Sequence, residues 1–353
     1  MKIATILGAR PQFVKASMVS KEIGKHDHIQ EIIIHTGQHF DSNMSNIFFE
    51  EMGIPEPHCN LGIQSQPHGA MTGRQLEAVE KILEDEKPDW VLVFGDTNST
   101  LAGALAAAKI NIPVAHVEAG LRSYNRKMPE EINRVLTDHI ADILFAPTDT
   151  AVENLMNEGI AKQKIKNVGD VMYDAILHFA EIAEEKSNIL ADLHVKEKEY
   201  VLATIHRPEN TDDPERLKNI FAALAEAPMP VIIPLHPRTK KKLEEFNITL
   251  NCKINVISPV GYLDMFRLEK YALEIATDSG GVQKEAYFHN VPCITLREET
   301  EWVELTDLDI NVLVGTDPKK IISAMNTENN LKVKKNIYGD GDASKKIIDA
   351  LMQ

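Results

Sequence analysis

Short β-branched runs alternate with longer amphipathic stretches along the chain. In the first half the strand-like runs are Lys2–Leu7, Glu31–His35, Trp90–Phe94, Pro113–Val117, Asp142–Ala146 and Lys164–Val168. Helical periodicity fills the intervals: Gln75–Glu86 keeps Leu76, Val79 and Leu83 on one stripe, and Glu130–Ile140 does the same with Ile132, Val135, Leu136 and Ile140. A helical segment from Tyr173 to about Glu185 leads into the polar stretch Lys186–Asn188. The alternation then restarts with Tyr200–Ile205, Val231–Leu235, Ile254–Ile257, Leu273–Thr277 and Pro292–Leu296. The pattern predicts βαβ units, hence an α/β fold with two Rossmann-like, doubly wound parallel sheets in tandem. The expected domains are 1–172 and 173–341. A last helix, within 342–353, follows the turn at Gly339 to Asp342 and is expected to rejoin the first domain.

Composition narrows the field. The 353 residues amount to about two domains, and a hydrophobic fraction of 43% with 26% charged residues is ordinary globular usage, which argues against disorder or fibrous structure. The net charge of −15 disfavours nucleic acid and anionic membranes as partners, so any phosphorylated ligand must be held by a local cluster of cations and backbone amides. Three scattered cysteines make neither a disulfide framework nor a zinc ribbon. The first apolar run turns at Gly8 and no run reaches membrane-spanning length, so a cytoplasmic location is expected.

In open α/β sheets ligands bind beyond the carboxyl ends of the strands, so polar residues directly after strands are the candidates for chemistry. The first strand ends in Gly8-Ala9-Arg10-Pro11-Gln12, with Lys15 following. Arg10 and Lys15 either face an anion at the helix N-terminus or are solvated cations at an ordinary turn. Asp96 ends one strand and Glu118 the next; on neighbouring strands they would form a carboxylate pair suited to proton transfer. The plain alternative for Asp96 is an N-cap. Glu131, behind Pro129, is explained equally by the helix dipole or by a third place in the carboxylate cluster.

In the second half, His206-Arg207 and His236-Pro237-Arg238 end two strands. Without metal-ligand spacing they read as anion contacts, and no metal is expected. The run Asp278-Ser279-Gly280-Gly281 opens a helix whose bare amides suit a phosphate, with Glu285 one turn inside where it could accept from ribose hydroxyls. Phe266 is either core or a ring near a base. His35, His39, His58, His68 and His116 are assigned no chemistry. The G-x-G-x-x-G dinucleotide fingerprint is absent from the first turn, which disfavours a nicotinamide enzyme.

The motifs Gly8-x-Arg10-Pro11, Gly95-Asp96-Thr97, His116-Val117-Glu118-Ala119-Gly120-Leu121-Arg122, Pro129-Glu130-Glu131-x-Asn133-Arg134, His206-Arg207-x-Glu209-Asn210 and Asp278-Ser279-Gly280-Gly281 resemble, in order, the non-hydrolysing UDP-N-acetylglucosamine 2-epimerases. The resemblance implies a glycosyltransferase-B architecture with the active site in the interdomain cleft. It also implies reversible conversion of UDP-GlcNAc to UDP-ManNAc, no cofactor, and a homodimer. It gives Asp96, Glu118, Glu131 and His206 catalytic roles, and assigns Arg10, Lys15, Phe266, Ser279, Gly280, Gly281 and Glu285 to the substrate. An activating second UDP-GlcNAc site would draw on Gln38, Arg74, Arg207 and His236. Phe40-Asp41-Ser42 departs from the family pattern, which places Arg after the pair Gln38-His39. A hydrolysing epimerase, a UDP-sugar-dependent glycosyltransferase and a non-catalytic sensor remain open from the residues alone.

Overall fold

The computed structural model describes residues 1–38, 51–327 and 336–353, so the departing segment at His39, Phe40, Asp41 and Ser42 lies outside it. The chain divides into two compact units, 1–178 with 336–353, and 179–335. The division falls inside the helix Val171–Lys186.

The first unit holds a seven-stranded parallel sheet. Its strands are β1 (Lys2–Leu7), β2 (Gln30–His35), β3 (Cys59–Asn60), β4 (Trp90–Phe94), β5 (Val114–Val117), β6 (Ile143–Ala146) and β7 (Ile165–Asn167), in the order β3-β2-β1-β4-β5-β6-β7. The order reverses between β1 and β4, which places the ligand crevice of such a sheet there. Val91, Leu92, Val93 and Phe94 are all buried, as parallel strands covered by helices on both faces must be. Gln12 ties the switch point together. Its Oε1 accepts from the Gly8 and Ala9 amides at 2.8 and 3.0 Å, and its Nε2 donates to the Phe94 carbonyl at 2.8 Å. Gly8 is required because a Cβ there would lie 2.0 Å from Ser99 Oγ. The helix Ala343–Leu351 belongs to this unit, its first amides held by Asp174, which accepts from Ala343 N at 3.1 Å and Ser344 N at 2.7 Å.

The second unit has a six-stranded parallel sheet: β8 (Val201–Thr204), β9 (Val231–Pro234), β10 (Ile254–Ile257), β11 (Glu274–Thr277), β12 (Cys293–Thr295) and β13 (Asn311–Leu313), in the order β10-β9-β8-β11-β12-β13. Its switch point lies between β8 and β11. Alternate side chains enter two separate apolar clusters, Val201 and Ala203 on one face, Tyr200 and Leu202 on the other. Among the described residues no helix is long and apolar enough to cross a membrane.

One helix departs from its sequence pattern. In Pro129–Ile140 the apolar stripe would ordinarily turn inward. Instead Glu131, Asn133, Arg134, Thr137 and Asp138 are buried, and Ile132 and Leu136 are 39% and 47% exposed. Ion pairs and hydrogen bonds to this polar face, described next, offset its desolvation.

Candidate active site

β4 and β5 pair in register, Phe94 opposite Val117, so the two chain reversals that follow them lie side by side. The first carries Asp96 and the second Glu118. The carboxylate pair expected from the sequence does not stand alone, because each member has a cation. Arg134, 2% exposed, reaches Asp96 with one nitrogen and Glu131 Oε2 at 3.1 Å with another, bridging the two carboxylates. Lys15 pairs with Glu118. The two positive charges remove the mutual repulsion that would otherwise dominate the group. Lys15 is therefore neither a solvated cation nor a bare anion contact: its side chain is 11% exposed and sits on Glu118.

Asp96 is not a helix cap. The helix Asn98–Lys109 is capped by Thr97, whose hydroxyl accepts from Thr100 N at 3.2 Å, leaving the Asp96 carboxylate 31% exposed beside Arg134. Asn133 Nδ2 donates to the Asp96 carbonyl at 2.9 Å. Glu131 accepts from Ser123 N and Tyr124 N, both at 2.9 Å, and from Ser123 Oγ at 2.9 Å. It orders the loop after Glu118, a task beyond the dipole role that a first-turn acid could have filled.

Two backbone features shape this end of the sheet. Glu118 has φ +70, a left-handed conformation costly for a residue with a Cβ and tolerated where the surroundings enforce it. Its amide and that of Ala119 both donate to the Phe145 carbonyl at 3.1 Å, which fixes the turn. Gly95, φ +62, approaches so closely that a Cβ would lie 3.1 Å from Glu118 Oε2 and 3.4 Å from Lys15 Nζ.

The second unit repeats the logic with opposite chemistry. Asp278, fully buried after β11, crosses the switch point and accepts from the His206 and Arg207 amides at 3.1 Å each and from Asn210 Nδ2 at 3.1 Å. His206 Nδ1 lies 3.3 Å from Asp278 Oδ1. A ring whose Nδ1 proton points at a carboxylate keeps Nε2 for other work, and the side chain is 42% exposed. Ser279 caps the helix Gly280–Phe288, and the Glu285 carboxylate lies beside Gly281, 3.9 Å from where its Cβ would be. A Cβ on Gly280 would lie 2.3 Å from Glu301 Oε1. Glu301 also faces Arg297 at 2.9 Å and Arg207 at 3.9 Å. A carboxylate, Glu301, thus already stands with two arginines at the glycine-opened end of this helix, a place suited to an anion.

Other expected residues have separate settings. Phe266 is 2% exposed and edge-on to Tyr262, with its ring centre 4.5 Å from that of His289. The Arg10 side chain lies outside what is described. Gln38 accepts from Ser99 N and Oγ at 3.1 and 2.8 Å. Arg74 is exposed on the helix His68–Glu86, and His236 caps the helix Pro237–Glu245. Arg134 and Asp278 were not singled out from the sequence, although both stand inside motifs that were. Among the described residues no group of three His, Cys, Asp or Glu could hold a metal ion.

Two parallel sheets of this order, one ending in cation-bridged carboxylates and the other in a glycine-opened helix, define a glycosyltransferase-B-like α/β protein. A family model for UDP-N-acetylglucosamine 2-epimerase matches residues 21–352, and the chain belongs to that family of isomerases. It is 55% identical to a UDP-N-acetylglucosamine 2-epimerase homolog of Methanococcus maripaludis, over 99% of each chain. It is 52% identical to the UDP-2,3-diacetamido-2,3-dideoxy-D-glucuronate 2-epimerase of Pseudomonas aeruginosa, again over 99% of each. The crystal structure of Methanocaldococcus jannaschii UDP-GlcNAc 2-epimerase in complex with UDP-GlcNAc and UDP is 49% identical, with a TM-score of 0.94 over 100% of this chain and 99% of that one.

Proposed function

We propose that the protein interconverts UDP-GlcNAc and UDP-ManNAc without hydrolysis. The observation that carries this reading is the gathering of Asp96, Glu118 and Glu131 around Arg134 and Lys15 at the ends of β4 and β5, in a chain of this family. The hydrogen on sugar carbon 2 has no adjacent carbonyl to acidify it, so it can leave only as UDP leaves carbon 1. The carbon 1–oxygen bond breaks with its electron pair on the diphosphate. A carboxylate takes the carbon 2 proton, and the electrons of that carbon–hydrogen bond form the double bond of 2-acetamidoglucal. Protonation of carbon 2 from the opposite face and return of UDP to carbon 1 give the epimer.

In this reading His206, Arg10 and the amides of Ser279, Gly280 and Gly281 stabilise the departing diphosphate. Preorganised donors of that kind contribute about 2.7–4 kcal/mol each in other sites. Glu285 holds the ribose. Asp96, the most exposed of the three carboxylates at 31% against 7% and 2%, is assigned as base. Glu118 and Glu131 act as acid or stabiliser. Asp96→Asn is expected to lose epimerisation while UDP binding, measured calorimetrically, persists; retained turnover would reassign the base.

The Pseudomonas relative supports a second reading in which the same chemistry at carbon 2 serves a diacetamido uronate. Assaying UDP-GlcNAc beside UDP-2,3-diacetamido-2,3-dideoxy-D-glucuronate decides between them: the higher kcat/KM is expected for UDP-GlcNAc, and the reverse order would transfer the assignment. A homodimer, and activation through Gln38, Arg74, Arg207 and His236, are further expectations. Sedimentation reads the first, and a lag with UDP-ManNAc as sole substrate reads the second.

A further inference from the structure

Behind the carboxylate cluster lies a row of charges that the proposed chemistry does not use. His116, on β5, is fully buried. Its Nε2 lies 2.7 Å from the Gly95 carbonyl and its Nδ1 2.7 Å from Asp138 Oδ1. A carbonyl oxygen only accepts, so Nε2 carries a proton. Asp138 Oδ2 takes Arg122 at 2.7 Å and the Gly120 amide at 3.1 Å. A carboxyl that accepts from a guanidinium and a backbone amide is held in its charged form by those donors. Asp138 is thus a carboxylate, an acceptor only, and Nδ1 must carry a proton as well. Arg122 continues the row to Glu158, with two contacts of 2.7 Å. Glu158 also meets His139 Nε2 at 3.2 Å, at the exposed end of the row.

We propose that His116 is a buried imidazolium that positions the Gly95–Asp96 turn, acting on proton transfer through its bond to the Gly95 carbonyl. The proposal rests on the reading of Asp96 as base. A charge-assisted donor of this kind is roughly twice as strong as a neutral one. The preceding peptide is held as well, the Gly95 amide donating to the Val117 carbonyl at 3.0 Å, so both peptides flanking the Gly95 Cα are fixed. Gly95 is also the residue whose missing Cβ leaves room for Glu118 and Lys15. An amide side chain at 116 could donate to Gly95 or to Asp138 but not to both in the same way, so glutamine keeps the polarity and loses the two-sided grip. The helix Pro129–Ile140 supplies Glu131, Arg134 and Asp138 from one buried stripe, so both networks hang on a single element.

Two readouts test this. In 15N-histidine-labelled protein at pH 7.5, the His116 ring, assigned by its loss in His116→Gln, is expected to show both nitrogens protonated; a neutral ring overturns the proposal. In steady-state kinetics, His116→Gln is expected to lower kcat about 100-fold, with KM and UDP affinity within about twofold of wild type; unchanged kcat overturns the positioning role. Should that variant fail to fold, Asp138→Asn takes its place with the same two criteria: the ring becomes neutral and kcat falls. If Asp96→Asn kept turnover, the reading of Asp96 as base would fall, whereas the ring spectrum judges the imidazolium independently.

Discussion

At the scale of single residues, Gly95 is the position where a methyl group does the most. Gly95→Ala would hold a non-glycine residue at φ +62 with its Cβ 3.1 Å from the Glu118 carboxylate. The expected results are a loss of about 1–2 kcal/mol in denaturant unfolding and a larger proportional loss in kcat. The Lys15–Glu118 pair offers a second test. Lys15→Met leaves a carboxylate that is only 7% exposed without its cation, a change that costs about 3–5 kcal/mol. Adding Glu118→Gln is expected to recover much of that stability and none of the activity. The carboxylates themselves were legible in the sequence because each ends a strand or opens a helix. Their partners were not: Lys15 lies 103 residues from Glu118, and Arg134 lies 38 from Asp96. The role of His116 was hidden for a further reason, since inside an apolar strand a histidine reads as core.

Elements followed the hydrophobic pattern where burial drives their placement. The eleven strand-like runs all form strands, within a residue or two at each end. Cys59–Asn60 and Asn311–Leu313 escaped notice because short edge strands carry too few apolar residues to make a pattern. The helix Pro129–Ile140 shows where periodicity misleads: ion pairing outranks apolar burial there and turns the expected face outward. Another buried acid gives a prediction at this scale. Glu274 opens β11 at 5% exposure, and burial pushes it up to about 8 from an unfolded value near 4.5. Between those values the folded chain holds the extra proton, so stability falls as pH rises, by up to about 1.4 kcal/mol per unit. His289, brought down to about 3 by burial, gives the opposite slope between pH 3 and 6.5, where the unfolded chain holds the extra proton. Above pH 6.5 the His289 contribution no longer changes with pH, while that of Glu274 still does. Glu274→Gln is expected to gain stability over wild type between pH 6.5 and 8, read from urea midpoints; a pH-independent difference would contradict this.

For the whole molecule, the chain's acidic balance takes on a specific meaning. Of its 53 acids, Asp96, Glu118, Glu131, Asp138, Asp278 and Glu301 are placed in or beside the two strand-end sites, several of them buried. Two parallel sheets, each with its own switch point, were legible from alternation alone. The partition of work proposed for them, with proton handling in the first unit and phosphate holding in the second, rests on motif chemistry. The most direct test incubates the wild-type protein with UDP-GlcNAc in D₂O and follows carbon 2 and the nucleotide by NMR. The account predicts intact UDP-GlcNAc and UDP-ManNAc, both acquiring deuterium at carbon 2, with no net accumulation of free UDP. Epimer formed without deuterium, or free sugar released with stoichiometric UDP, would contradict it.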